Sequence, residues 1–134
     1  MSIFASPKFL RRVLLADALS CAATGGLQLL AGAALSSWTN LPSPLLAGTG
    51  WFLVLYAGAV AWLASRKEVP QVFVWIIAAG NLAWAAGCAA LWLGHWAAPS
   101  ALGTAWLAAQ AVTVVVLAEL QIACVRRAHP PGWA

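Results

Sequence analysis

The chain has 134 residues, of which 63% are hydrophobic and 7% charged, with a net charge of +4 and a mean hydropathy of +0.88. Soluble domains carry about 25% charged residues, so water is not the main solvent of this chain. At about 20 apolar residues per crossing, there is room for one domain of four spans and little else.

The basic balance does not point to nucleic acid, because its placement is wrong for tracking phosphates. All seven basic residues fall in three short clusters, Lys8 with Arg11 and Arg12, Arg66 with Lys67, and Arg126 with Arg127, each beside an apolar stretch. The stretches 38–46 and 94–101 contain no Lys or Arg. Basic residues collect on the cytoplasmic side of a membrane protein, so both termini are expected there. The predicted architecture is an all-α bundle of four transmembrane helices, a single domain over 1–134 in a bacterial inner membrane, with a flexible tail at 126–134.

Residues 1–12 read as a short basic arm that meets anionic headgroups. The first span is expected over 13–37. A basic arm before an apolar run resembles a signal peptide, and Ala18-Leu19-Ser20-Cys21 resembles a lipoprotein cleavage box. However, Asp17 interrupts the apolar run, which continues to Leu35, so an uncleaved helix is expected. Asp17, Cys21, Thr24 and Gln28 recur at spacings of four, three and four and share one stripe. A charge near the centre of a membrane helix costs about 2.5–3.5 kcal/mol on insertion scales, so this stripe should face protein. Gly25 and Gly32 lie beside it and permit close helix approach.

The turn from Ser36 to Pro44, rich in Ser, Asn and Pro, places Trp38 at interfacial depth. The second span is expected over 45–65, with Tyr56 near mid-span and in need of a hydrogen-bond partner. The third, over 71–93, carries Asn81 near its midpoint, followed on the same face by Trp84, Cys88 and Trp92. His95 falls in the outer turn and reads as exposed. The fourth, over 102–125, has two faces. Gly103, Trp106, Gln110, Thr113, Leu117 and Gln121 lie on one, whereas Glu119 projects from the other.

Shifting the chain by 55 residues pairs Arg11 with Arg66, Gly25 with Gly80, Gly32 with Gly87, Pro44 with Pro99, Gly48 with Gly103, Thr49 with Thr104 and Trp51 with Trp106. This describes two helical hairpins of like orientation, as in parallel-repeat transporters. The polar residues do not repeat, since Asp17 meets Val72 and Gln110 meets Leu55.

Two groups of side chains are candidates for function. Thr24, Gln28, Tyr56, Asn81, Gln110 and Thr113 fall within about two turns of the midplane, one set from each helix. Interhelical bonding is the plainer reading of this cluster and a ligand site the sharper one. Asp17 and Glu119 are candidate proton or cation sites. The plainer readings are that Asp17 snorkels toward Arg12 and that Glu119 pairs with Arg126 through water; a third places Glu119 against a second protomer or another membrane protein. Cys21, Cys88 and Cys124 form no CxxC and read as small packed hydrophobes. No metal site, cofactor or catalytic motif is expected, so the protein reads as no enzyme. The expected partner is the lipid bilayer.

Arg11 to Ala18, Thr24-Gly25-Gly26, Leu41-Pro42, Asn81-Leu82-Ala83-Trp84 and Gln110-Ala111-Val112 together resemble a group of small four-helix bacterial inner-membrane proteins. That resemblance implies a topology and no activity. Small multidrug resistance transporters also have four helices and an acid in the first, but nothing beyond Asp17 matches their motifs. The glycine-arginine motif of small fluoride channels is absent. The expected role is that of a non-enzymatic accessory or lipid-interacting component, the alternative a proton-linked transporter or binder of a hydrophobic solute.

Overall fold

A computed structural model describes residues 2–94 and 96–128. It is all helical, with a short 3₁₀ turn at Ile3–Ala5 followed by α1 (Pro7–Leu30), α2 (Gly32–Thr39), α3 (Ser43–Ala64), α4 (Gln71–Leu93) and α5 (Ala101–Ala128). Four of these, α1, α3, α4 and α5, are long and apolar enough to cross a membrane, as fits a multi-pass membrane protein. His95 and residues 129–134, most of the expected flexible tail, lie outside the described residues. Arg126 and Arg127 form the last turn of α5.

The helix starts follow local chemistry. Pro7 opens α1 and Pro44 lies in the first turn of α3, where a missing backbone N–H leaves no helical bond unmade. Pro42 and Pro70 cap α3 and α4 in extended conformation. The first span differs from expectation at both ends. It begins at Pro7, well before Val13, and it breaks at Ala31 (φ −121°, ψ 27°), so that α2 leaves at an angle to α1. The kink falls where Gly32 supplies no side chain to hold the turn.

Apolar surface faces outward as well as inward. Leu19, Leu30, Leu55, Leu93 and Val112 are all more than half exposed, an arrangement suited to lipid and unsuited to water. The inward stripes keep helical spacing: Leu14, Asp17, Ala18, Cys21, Gly25 and Gln28 on α1; Val74, Ile77, Ala78, Asn81 and Cys88 on α4; Gly103, Leu107, Val114, Leu117, Gln121 and Cys124 on α5.

The helices pack as two pairs, α1 along α3 and α4 along α5. The first pair is close because of Gly25: a Cβ there would lie 2.7 Å from the Gly50 carbonyl oxygen and 2.9 Å from Leu53 Cβ. Gly32, by contrast, approaches nothing. The pairs make close backbone contact along one side only. There α1 and α2 touch α5, while on the other side α3 and α4 meet through side chains, Val60, Leu63 and Ala64 packing with Ile77, and their backbones stay further apart. A two-fold repeat would have given both sides like packing.

Candidate functional site

Polar groups tie the bundle together at three levels. At the proline-rich end, Asn40 adopts a left-handed backbone (φ 58°) and its Nδ2 donates to the Ala98 carbonyl at 2.6 Å. Ser100 N–H donates to the Thr39 carbonyl at 3.0 Å. Gly103 lies against the same Thr39 carbonyl, so closely that no Cβ fits there. At the basic end, the Arg11 guanidinium donates to the carbonyls of Arg66 (2.5 Å) and Lys67 (2.7 Å) in the loop between α3 and α4.

Between these levels lies Asp17, fully buried. Its Oδ2 accepts from Asn81 Nδ2 at 2.7 Å and from Gln121 Nε2 at 2.6 Å. Its Oδ1 accepts a longer bond from Cys21 Sγ at 3.6 Å, and Asn81 Nδ2 also reaches Gln121 Oε1 at 3.3 Å. One carboxyl thus gathers α1, α4 and α5. Among the described residues no cation pairs with it. Leaving a buried hydrogen-bonding group without its partner costs about 1–3 kcal/mol, so this cluster is a strong local tie.

Asp17 therefore points into the bundle and does not snorkel. Its depth follows from the true start of α1: Asp17 lies ten residues beyond Pro7, as Asn81 lies ten beyond Gln71, about 15 Å along each helix. The two meet at one level. Gln121 completes the group from α5, which runs the other way. Glu119 is exposed on the far face of α5, apart from Asp17.

The expected midplane cluster divides. Asn81 belongs to Asp17. Thr49 Oγ1 lies 3.4 Å from Gln28 Oε1 and gives its proton to the Leu45 carbonyl at 2.7 Å. Tyr56 hydroxyl makes a long bond to the Ile77 carbonyl, 3.4 Å. Thr113 is exposed and bonds its own helix at the Ala109 carbonyl, 2.7 Å. Thr24 and Thr113 border a small cavity of about 310 Å³. Gln110 Oε1 accepts from Trp84 Nε1 at 3.1 Å.

Where α3 and α4 diverge, they leave a larger cavity of about 640 Å³, within the 300–1,000 Å³ usual for small-molecule sites. Apolar side chains form most of its wall, among them Leu46, Phe52, Leu91 and Leu107, while Gln28, Thr49 and Gln110 supply amide and hydroxyl groups. No charged residue lines it, and Asp17, Asn81 and Gln121 lie outside it. Phe52 stacks between Tyr56 (5.9 Å, 18°) and Trp84 (6.0 Å, 6°), bridging α3 to α4. Phe52 is also 55% exposed, so the cavity reaches the outer surface. Trp84, Trp106 and Gln110 border both cavities and form the partition between them. Trp106 Nε1 is buried without a partner, a state that costs about 1–3 kcal/mol.

The cysteines are free and buried, and no group of His, Cys, Asp and Glu among the described residues has the geometry of a metal site. Sequence reasoning put Gln121 on the inner face of its helix without assigning it to a site. The signal was present in that stripe, but the depth match with Asp17 was not. The cavity had no signal at all, since it is a gap between two helices that each look ordinary.

No family model, no curated protein and no solved structure matches the chain.

Proposed function

We propose that the protein is a non-enzymatic, multi-pass component of the bacterial inner membrane, termini cytoplasmic, that holds an apolar, lipid-like solute between α3 and α4. The observation that carries this reading is the cavity of about 640 Å³, apolar over most of its wall and open to the surface beside the half-exposed Phe52. In a bilayer that opening faces acyl chains, so a solute enters sideways from the membrane without passing through water. The Asp17 cluster, outside the cavity, serves to fix the hairpins whose divergence creates it.

Gly87 lines the cavity, and a Cβ built on it meets nothing within 4 Å. Gly87→Leu therefore adds a side chain at the cavity wall, at a position where its Cβ has room. Native mass spectrometry from mild detergent should find one retained apolar molecule per wild-type chain and none on Gly87→Leu. Bare wild-type protein, or equal retention by both, defeats the reading.

A further inference from the structure

Resting on that reading, we infer that the cavity selects a neutral molecule bearing a hydrogen-bond acceptor, such as a ketone, quinone or ester carbonyl on an apolar frame. The argument lies in which polar groups of the partition are already used.

An indole nitrogen donates and never accepts. The bond from Trp84 Nε1 therefore fixes the orientation of the Gln110 amide: its oxygen faces Trp84 and is occupied, at 3.1 Å. Its nitrogen, with two hydrogens, has no partner among the described residues. One helical turn earlier on α5, Trp106 Nε1 is a second unpartnered donor, and it is buried. The partition thus holds two unpartnered donors on neighbouring turns, whereas its one amide oxygen already holds a bond. Thr49 has already given its hydroxyl proton to the Leu45 carbonyl. Gln28, 4% exposed, contributes an amide from α1 whose ends are interchangeable in this setting, so it does not set the preference. With no charge on the wall, an ionised ligand would be desolvated without compensation. A ligand with donors alone would leave both of these donors unpaired. A carbonyl oxygen, which accepts two hydrogen bonds and gives none, satisfies what the protein leaves open.

The test compares three probes of one chain length, hexadecyl methyl ketone, octadecane and octadecylamine, binding to delipidated full-length protein in detergent and read by native mass spectrometry. The ketone should bind about tenfold more tightly than the alkane, as one to two net hydrogen bonds imply, and the amine most weakly. Trp106→Phe, which keeps an aromatic ring and loses the donor, should reduce the ketone's advantage while alkane affinity holds; Gln110→Leu should do the same. Equal affinity for ketone and alkane overturns the acceptor preference and leaves the cavity reading standing, as does a preference for the amine. An advantage that survives both substitutions overturns the assignment to these two donors. Binding of none of the probes overturns the cavity reading and this inference with it.

Discussion

On the side where α1 and α2 meet α5, the contact rests on polar groups: Asn40 and Ser100 at one end and Asp17 with Asn81 and Gln121 within. On the side between α3 and α4, aromatic rings span a gap, and the helix backbones stay apart. In lipid, apolar content does not decide which side closes, because acyl chains solvate Leu and Phe as well as other side chains do. Helix association there depends on close backbone approach and on polar bonds. The side between α3 and α4, with one long bond from Tyr56 and no close backbone approach, stays open over the cavity. The comparison explains why a chain so rich in hydrophobic residues encloses a cavity and does not collapse onto it.

Breaking the closed side at its centre should have the largest effect. Asp17→Ala leaves the Asn81 and Gln121 amides without their shared acceptor, and should lower unfolding free energy by about 2–3 kcal/mol. Unfolding in mixed SDS and mild-detergent micelles, followed by tryptophan fluorescence, would show this as an earlier midpoint. An unmoved midpoint would mean that the carboxyl does not hold the pairs together. Gly103→Val comes next: its Cβ would run into the Thr39 carbonyl, and a loss of about 2 kcal/mol, typical of overpacking, is expected by the same measurement. The open side should barely respond. Gly87→Leu, placed in free space, should shift stability by no more than about 0.5 kcal/mol; a large loss would show that α3 and α4 are closer in solution than the cavity allows.

The four spans were legible because charge and hydropathy change together at their ends, at Arg12, Arg66 and Arg126. So was the inward stripe of α1, whose spacing marks a face unambiguously. Depth was less accessible. Starting the first span at Val13 placed Asp17 near the interface, whereas the basic residues Lys8, Arg11 and Arg12 lie within α1 itself, which runs from Pro7. Long basic side chains reach back toward water while their backbone continues as helix, so charge marks a helix end only to within about a turn or two. The separation of α3 from α4 left no trace in the sequence pattern, since it arises from contacts between elements. The repeat at 55 residues matches the pairing of the helices into hairpins but not the unequal treatment of their two sides.

The Asp17 cluster also bears on how the protein is made. Asn81 follows the aspartate by 64 residues and Gln121 by 104, so during translation the carboxyl leaves the ribosome long before either donor exists. It must wait for groups supplied by α4 and, later still, by α5. A product that terminates before Gln121 carries an acid whose coordination is incomplete.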